Sequence, residues 1–259
     1  MIRVCSLFDG MSCAQLALQK AGIPITRYYA SEVDKYAIKV TQANFPETVQ
    51  LGDIRQVTAD QVGDIDLLVG GSPCQGFSFA GKQLNFNDPR SKLFFEYVRL
   101  LKELKPKYFL LENVRMTKPT QDAISEQLGV EPIAINSNLV SAQNRYRLYW
   151  TNIPFTIPED KGIVLTDIIE DGMVDRDKSH CIDANYFKGG NLKSYFEKHR
   201  RQLVFNKASY RKLTPVECER LQTVPDNYTN HVSDTQRYKM LGNGMTVDII
   251  SSILGGISQ

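Results

Sequence analysis

The apolar residues of this chain alternate between short runs typical of strands and longer stretches with helical spacing. Runs rich in β-branched and aromatic residues lie at 4–8, 27–32, 48–51, 65–69, 108–111, 131–135 and 147–151. Helical spacing is found at 13–20, around 37–40, and at 93–102, 121–128, 215–221 and 247–254. Strands and helices that alternate in this way predict an α/β fold, with a parallel sheet covered by helices on both faces.

One segment, 154–209, interrupts this alternation with several prolines and glycines. We therefore expect residues 1–153 and 210–259 to form one large domain, with 154–209 as a small irregular lobe. The stretch 188–212 contains eight Lys and Arg residues against a single Glu, a local charge of +7 in a chain whose net charge is +2. That concentration indicates a surface for a polyanion, although a solvated charged face would explain it too.

The overall composition argues against several classes of protein. Hydrophobic residues make up 42% of the 259 residues, as in an ordinary globular protein. The five cysteines form no CxxC pair and the three histidines have no ligand spacing, so neither a disulfide framework nor a metal site is predicted. No apolar run reaches the roughly 18 residues of a membrane span. The chain enters a strand almost at once, so we expect no signal peptide and a cytoplasmic protein without a membrane partner.

The most informative stretch is Gly70-Gly71-Ser72-Pro73-Cys74, which follows a short apolar run. It predicts the Cys74 thiol just beyond the carboxyl end of a strand, at the edge where open α/β sheets bind ligands. A lone cysteine is more often a small buried apolar residue than a nucleophile. A second polar pair, Glu112-Asn113, also ends an apolar run. A nucleophile and a carboxylic acid are therefore expected to share one edge of the sheet.

Three other predicted strand ends carry carboxylates, at Asp9, Glu32 and Asp53. Glu32 follows the first turn by about 20 residues, the offset at which dinucleotide-binding folds place an acid against ribose hydroxyls. The loop from Asp9 to Ser12 lacks the glycine spacing that binds a pyrophosphate. We therefore predict an adenosine ligand without phosphates, S-adenosylmethionine, with its ribose at Glu32, its adenine at Asp53 and its methionine end at the first loop. Taken alone, each of these three acids is equally consistent with an ordinary carboxylate on the protein surface.

Five motifs, in this order, resemble those of the DNA cytosine-5 methyltransferases. They are Phe8-Asp9-Gly10, Ser72-Pro73-Cys74-Gln75, Glu112-Asn113-Val114, Gln143-Asn144-Arg145-Tyr146-Arg147 and Gly242-Asn243-Gly244. Details of the first motif and of Ser31-Glu32-Val33 resemble the eukaryotic de novo branch, whereas the compact chain fits a bacterial or phage member. The resemblance implies a Rossmann-like class I methyltransferase sheet, mostly parallel, with seven strands of which one is antiparallel. It also implies that 154–209 is the target-recognition region.

The resemblance implies a chemistry as well. Cys74 would add to carbon 6 of a cytosine flipped out of duplex DNA, which makes carbon 5 nucleophilic toward the methyl group of S-adenosylmethionine. Glu112 would protonate or hydrogen-bond ring N3, and Arg147 would hold the exocyclic O2. Arg145 would help to position Glu112, the thiolate or the flipped nucleotide.

Two further sets of residues follow from the same resemblance. The residues expected to line the cofactor pocket are Phe8, Asp9, Gly10, Met11, Ser12, Glu32, Val33, Asp53, Ile54, Pro73, Leu93, Asn243 and Met245. The residues expected to meet DNA, including members of a loop at 77–90 that would act as a lid, are Gln75, Ser78, Lys82, Arg90, Gln143, Lys198, Arg200 and Arg201. No metal is expected to take part.

Two alternatives stay open on sequence grounds. A tRNA cytosine-5 methyltransferase would carry the same catalytic set on the same fold. A non-catalytic DNA-binding homologue would keep the fold, but it would have no need of Cys74, Glu112 and Arg147 together. The sequence names neither the recognition site nor a companion restriction nuclease, and we expect a monomer.

Overall fold

The computed structural model describes residues 1–72 and 89–258, of which 89–91 and 258 are described by their backbone alone. Within these ranges the strands are β1 (Ile2–Leu7), β2 (Ile25–Ser31), β3 (Val49–Gln50), β4 (Leu67–Gly70), β5 (Tyr108–Val114), β6 (Ile133–Asn136), β7 (Tyr146–Thr151), β8 (Leu203–Asn206) and β9 (Ser209–Lys212). The first seven strands form one sheet in the order β3-β2-β1-β4-β5-β7-β6, and β8 and β9 form a separate hairpin.

The α-helices of the same ranges connect these strands. They are α1 (Cys13–Lys20), α2 (Lys35–Asn44), α3 (Ala59–Val62), α4 (Pro89–Leu104), α5 (Lys118–Leu128), α6 (Leu165–Ile168), α7 (Leu192–Lys198), α8 (Pro215–Leu221), α9 (Asp234–Asn243) and α10 (Val247–Leu254). Helix α8 begins as its sequence predicts: Thr214 accepts a hydrogen bond from the Glu217 amide, Glu217 accepts one from the Thr214 amide, and Pro215 occupies the first helical position.

The topology of the sheet confirms the predicted fold class. Strands β3, β2, β1, β4 and β5 pair in parallel. Strand β7 pairs antiparallel with both β5 and β6 and is therefore the one reversed strand of the sheet. The carboxyl ends of the five parallel strands consequently lie along one edge, and the amino end of β7 joins them there. We call this edge the carboxyl edge.

The sheet has an apolar cluster on each face. Successive strand residues point to opposite sides, so Val4 and Leu67 join the cluster that contains α1 and α10. Their neighbours Cys5 and Leu68 join the cluster that contains α4 and α5. Burying one large aliphatic side chain stabilises the fold by about 1.5–3 kcal/mol, so these two clusters hold the sheet rigid beneath its carboxyl edge.

The segment 154–209 shares its core with the rest of the chain. Leu165, Ile182, Tyr186 and Val204 are buried in the same cluster as α1 and α10. The Tyr186 hydroxyl donates to the Gln202 carbonyl at 2.5 Å and accepts from the Leu213 amide at 3.0 Å, which ties the lobe to the entrance of α8. The division at 154 and 209 stays a prediction, and the structure adds that the lobe is anchored to the large domain.

The C-terminal helices close one face of the sheet. Helix α10 packs against α1, and Asp248 accepts hydrogen bonds from Lys20 and Lys161, the latter at 2.8 Å. In the described residues, the stretch Asp234–Ile257 has the length and hydropathy of a membrane-crossing helix, but 67% of its most apolar window is buried inside the protein. These helices therefore form part of the core.

Candidate active site

The carboxyl group of Glu112 lies near the end of β5, in the middle of the carboxyl edge. Glu112 pairs with Tyr149 across β7, and Val114 pairs with Arg147. Residues two apart on a strand share a face, so this register places Arg147 diagonally opposite Glu112. Arg147 Nε lies 2.9 Å from Glu112 Oε1, and their side chains are only 13% and 11% exposed. The result is a largely buried ion pair at the point where the nucleophile is expected.

The guanidinium of Arg147 has further partners. Its Nη1 donates to the Tyr146 carbonyl at 2.8 Å. Burial opposes the charge, but Glu112 and then Cys181 outweigh it, so the pKa of Arg147 is raised above its usual value. Arg147 therefore stays charged and holds one oxygen of the Glu112 carboxylate in a fixed place.

The end of β4 approaches Glu112 closely. A Cβ on Gly71 would lie 3.4 Å from Glu112 Oε2 and 3.2 Å from the Met245 methyl, so a side chain here would crowd both. Asn113 Nδ2 donates to the Ser72 hydroxyl at 3.0 Å and to its carbonyl at 3.3 Å. The chain is thus fixed beside Glu112 as far as Ser72. Five residues that the sequence assigns to this region, Pro73, Cys74, Gln75, Ser78 and Lys82, lie outside the described residues, as does the side chain of Arg90.

At the other half of the edge, the loop after β1 has an unusual backbone. Phe8, Gly10 and Ser12 all have φ near +60°, a region that costs non-glycine residues about 1–2 kcal/mol each. Asp9 stabilises the loop: its buried carboxylate accepts from the Tyr28 hydroxyl at 2.7 Å and from the Ser12 hydroxyl. Burial raises the pKa of Asp9 to about 6, although these hydrogen bonds lower it. The loop is therefore preformed by its own side chains.

The carboxylate of Glu32 holds this loop against the end of β2. Oε2 accepts from the Gly10 amide at 2.8 Å, and Oε1 accepts from the amides of Val33 and Asp34 at 2.7 and 2.8 Å. A carboxylate has about four acceptor positions, so one is left for a ligand hydroxyl. Val33 is 72% exposed beside it, which leaves the site open to a ligand.

Asp53 follows β3 and is bound by its neighbour Arg55. The carboxylate accepts from the Arg55 amide at 3.0 Å and from its guanidinium, and these contacts lower the pKa of Asp53 to about 2. Ile54 is buried in the apolar cluster that contains α4, and half-buried Leu93 packs against that cluster. Asp53 can serve a ligand only by sharing an oxygen with Arg55.

These groups follow one another in the order of the strands. Along the carboxyl edge come Asp53, Glu32, Asp9 with Gly10, Gly71, and Glu112, at the ends of β3, β2, β1, β4 and β5. A row of this kind fits an elongated ligand with a nucleoside at one end and its reacting group near Gly71. We call the ends of β3, β2 and β1 the cofactor half of the edge, and the ends of β4 and β5 with the start of β7 the catalytic half. The residues present therefore fit S-adenosylmethionine. Among residues 1–72 and 89–258, no group of three His, Cys, Asp or Glu is placed to hold a metal ion.

Comparison with known proteins identifies the family. The model of the C-5 cytosine-specific DNA methylases matches residues 2–150 and 143–259, nearly the whole chain. This chain belongs to that family. As a methylase, it transfers a methyl group from S-adenosylmethionine to carbon 5 of cytosine in DNA.

Individual relatives agree with this assignment. The Type II methyltransferase M1.ScrFI of Lactococcus lactis subsp. cremoris is 31% identical over 97% of this chain and 76% of its own. M.HhaI of Haemophilus parahaemolyticus is 30% identical over 100% of this chain and 94% of its own. Two solved structures share the fold. DNMT2 of Spodoptera frugiperda has a TM-score of 0.76, with 21% identity and full coverage of both chains. EhMeth of Entamoeba histolytica has a TM-score of 0.78, with 17% identity and coverage of 99% of this chain and 98% of its own.

One sequence expectation for this methylase needs correction. Gln143 was expected to meet DNA, but it is fully buried, and its amide donates to the Leu221 carbonyl at 2.7 Å and to Gln222 at 3.0 Å. Arg145, expected to position Glu112, the thiolate or the flipped nucleotide, is 2% exposed. The hydrogen bonds of its guanidinium go to the Cys181 thiol and to the carbonyls of Ile182, Gly242 and Gly244. Arg145 therefore joins segments around the site, and its positioning role stays a prediction.

The remaining predicted residues differ in exposure, and their contacts with DNA or cofactor stay predictions. Lys198 is exposed at the end of α7, and Arg200 is half exposed and pairs with Asp183 at 3.0 Å. Arg201 is partly buried at φ +64°. Asn243 is exposed, whereas Met245 is buried with its methyl group beside Gly71, closer to the catalytic half of the edge than its cofactor role implied. Met11 is buried beneath the first loop.

Sequence reasoning missed two side chains at this site. Tyr28 supports Asp9 from the middle of β2, and the alternation of that strand could have indicated an inward-facing hydroxyl. Cys181 lies beside Arg145 and Arg147, although it belongs to the irregular segment 154–209. No local pattern in the sequence connects Cys181 with β7.

Proposed function

We propose that the methylase forms a transient covalent bond from Cys74 to carbon 6 of its target cytosine, with Glu112 as the acid and Arg147 as its partner. One observation carries this proposal. The Glu112–Arg147 ion pair lies on the carboxyl edge, directly beside Gly71, and Gly71 precedes Cys74 by only three residues. The expected nucleophile thus begins from a backbone that is fixed next to the acid.

The chemistry requires both groups because carbon 5 of cytosine is a weak nucleophile. Addition of the Cys74 thiolate forms the carbon–sulfur bond at carbon 6 and moves electron density toward N3 and carbon 5. A proton from Glu112 at N3 favours this addition, since general acids contribute about 10²–10⁴-fold. S-adenosylmethionine supplies the electrophilic methyl group. A base, for which water would serve, then takes the carbon 5 proton and the carbon–sulfur bond breaks to release the thiolate. N3 returns its proton to Glu112, which restores the aromatic ring and the free cysteine.

The contacts of Glu112 indicate which oxygen serves the base. Arg147 holds Oε1 at 2.9 Å, whereas Oε2 faces Gly71 at the end of β4. Oε2 is therefore the atom proposed to deliver the proton to N3. Arg147 has donors beyond Nε, and these would bind the exocyclic O2 of the same base.

The cofactor half of the edge is proposed to bind S-adenosylmethionine in an extended form. Glu32 would accept from a ribose hydroxyl with its last free position, and Asp53 would accept from the adenine amino group. The loop Phe8-Asp9-Gly10-Met11-Ser12 would hold the methionine end. The apolar or exposed neighbours proposed to flank the ligand are Val33, Ile54, Pro73, Leu93, Asn243 and Met245.

DNA is proposed to bind across the catalytic half of the edge and the 154–209 lobe. A base in a duplex must be flipped out to reach Glu112, which costs a few kcal/mol. The loop residues Gln75, Ser78, Lys82 and Arg90 would contact the DNA around that base, and Lys198, Arg200 and Arg201 would contact phosphates. The relatives include Type II methyltransferases and an orphan methyltransferase of Bacillus phage SPR. We accordingly propose a monomer that works in the cytoplasm of a bacterial or phage-infected cell, the setting of restriction–modification.

Transfer of a labelled methyl group tests the choice of substrate. Purified protein is given labelled S-adenosylmethionine with duplex DNA, with transfer RNA, or with both in competition. We expect label in duplex DNA, at a cytosine that bisulfite sequencing then locates in one short sequence context. Label in transfer RNA alone, or the absence of label in both together with tight DNA binding, would overturn the proposal.

A further inference from the structure

A segment of the lobe runs alongside the entrance to β7. Ser179 forms a parallel bridge with Gln143: the Ser179 amide donates to the Ala142 carbonyl at 2.7 Å, and the Asn144 amide donates to the Ser179 carbonyl at 2.9 Å. Residues 179–182 therefore extend the backbone framework of the catalytic half of the edge, although they come from the proposed target-recognition region.

The other side of this segment is held by α9. A Cβ on Gly242 would lie 2.2 Å from the Asp183 carbonyl carbon and 2.4 Å from the Ala184 amide nitrogen, so only glycine allows this contact. Arg145 adds to the clamp, because its two terminal nitrogens reach the carbonyls of Ile182 and Gly244 at 3.0 and 2.8 Å. The backbone at 181–184 is consequently fixed from both sides.

This clamp places the Cys181 thiol against the buried guanidinium of Arg145. Arg145 Nη1 donates to Cys181 Sγ at 3.3 Å, and Cys181 Sγ donates to the Ile182 carbonyl at 3.4 Å. Arg147 lies two residues beyond Arg145 in the chain, and its Nε holds Glu112 at 2.9 Å. Buried guanidinium groups need acceptors, and they are scarce here: Arg145 Nε is buried without a partner among the described residues.

We propose that Cys181 is a positioning residue for methyl transfer, which accepts from the guanidinium of Arg145 and so keeps the start of β7, the strand that carries Arg147, in place against Glu112. The inference rests on the role proposed above for Glu112. It means that the lobe supplies part of the catalytic centre in addition to any contacts with DNA. Loss of the acceptor loosens Arg145 and with it the start of β7, from which Arg147 reaches Glu112, and small displacements of catalytic groups lower rates steeply.

Four variants test this role by single-turnover methyl transfer to duplex DNA, with S-adenosylmethionine affinity and melting temperature measured on the same samples. Cys181→Ala removes the acceptor, Cys181→Ser keeps one of similar size, and Cys218→Ala deletes the same atom from a buried site in α8. Glu112→Gln reports on the acid itself. We expect Cys181→Ala to be about 10- to 100-fold slower with unchanged cofactor affinity, and both Cys181→Ser and Cys218→Ala to stay within a few fold of the parent.

The outcomes separate the two claims. If Glu112→Gln is slow while Cys181→Ala keeps the parent rate, the role of Cys181 is wrong and that of Glu112 stands. If Cys181→Ser is as slow as Cys181→Ala, or if Cys218→Ala is equally slow, the loss does not come from the acceptor and the inference is overturned. If Glu112→Gln keeps full activity, the proposed acid is wrong. If Cys181→Ala is unstable, the rate of Cys181→Ser is compared with that of the parent instead. A large loss of rate in Cys181→Ser then contradicts the inference.

Discussion

The two halves of the carboxyl edge are built in different ways. In the cofactor half, the carboxylates bind groups nearby in the chain: Asp53 binds Arg55 two residues on, and Glu32 binds the Gly10 amide 22 residues back. In the catalytic half the partners are remote. Asn113 reaches Ser72 over 41 residues, and Arg145 reaches Gly244 over 99. The carboxylates of the first half are held by the short loops on which they lie, although the Tyr228 hydroxyl also binds the Met11 carbonyl over 217 residues. In the second half, the groups that surround the acid are held by distant segments of the chain.

Because the two halves are built differently, we expect substitutions in them to have different effects. Changes in the cofactor half alter one loop and one ligand contact, so they are expected to affect affinity. Changes in the catalytic half alter groups that several segments hold in place, so they are expected to affect the rate of methyl transfer. The predictions below test that separation.

The largest effect is expected from Glu112→Gln, which keeps the shape of the side chain and removes its proton. The methyl-transfer rate should fall by about 10²–10⁴-fold, because N3 loses its acid. Binding of DNA and of S-adenosylmethionine should change little. Single-turnover rates and equilibrium binding measure the two quantities, with Glu126→Gln on the exposed face of α5 as the matched control. A loss of DNA affinity as large as the loss of rate would contradict the acid role.

The second effect concerns stability and pH in the cofactor half. Burial raises the pKa of Asp9 from 3.8 to about 6 in the folded protein. Between these values the folded state binds the proton more tightly, so this group stabilises the fold most at low pH. Its contribution declines as pH rises toward 6, by about 3 kcal/mol in total. The free energy of unfolding of Asp9→Asn, taken relative to that of the parent, should therefore be higher at pH 7 than at pH 4, whatever the cost of the lost hydrogen bonds to Tyr28 and Ser12.

Urea unfolding at the two pH values measures this difference. The control is Asp60→Asn on exposed α3, which should shift stability equally at both. If the free energies of unfolding of the parent and of Asp9→Asn change in parallel between pH 4 and pH 7, Asp9 does not titrate in this way.

The third effect is confined to cofactor affinity. Glu32→Gln leaves one carbonyl oxygen where three backbone amides now share a carboxylate, so the first loop loses part of its support. Hydrogen bonds to charged groups contribute about 1.5–3 kcal/mol, and we expect S-adenosylmethionine to bind about tenfold more weakly or worse. At saturating cofactor the rate should return to near that of the parent. Calorimetry on this variant and on exposed Glu47→Gln measures the change, and a low rate at saturation would argue against the separation.

The smallest effect is expected in the lobe. Lys198 is exposed at the end of α7, and loss of one phosphate contact lowers the slope of log affinity against log salt by about 1. Lys198→Gln should show this reduced slope without a change in the methyl-transfer rate at saturating DNA. Lys102→Gln on α4 serves as the control. Equal slopes for the parent and both variants would remove Lys198 from the DNA surface.

The sequence predicted the locally determined parts of this molecule well. The spans 13–20 and 247–254 match α1 and α10 to the residue, and the Thr214 cap was predicted from its spacing to Glu217. The positions of Asp9, Glu32 and Asp53 at successive strand ends followed from the order of strands and turns. Such features depend on a few neighbouring residues, and those are what a sequence displays directly.

The parts that were wrong or missed depend on distant contacts. A motif names Gln143 and Arg145 but does not reveal whether their side chains face solvent, and both turned out to be buried against α8 and α9. Cys181 reaches β7 only because the lobe segment is pressed between two other elements. Hydrogen-bond partners that are tens of residues apart leave no periodic trace in the chain.

Capture of the covalent adduct is a direct test of the role proposed for Cys74. The protein is incubated with S-adenosylmethionine and duplex DNA that contains 5-fluorocytosine, whose fluorine cannot leave as the carbon 5 proton does. The account predicts a stable protein–DNA complex that mass spectrometry maps to Cys74 and that the Cys74→Ala variant does not form. An adduct that persists in Cys74→Ala, or a parent protein that methylates ordinary duplex DNA yet traps none of the fluorinated form, would contradict it.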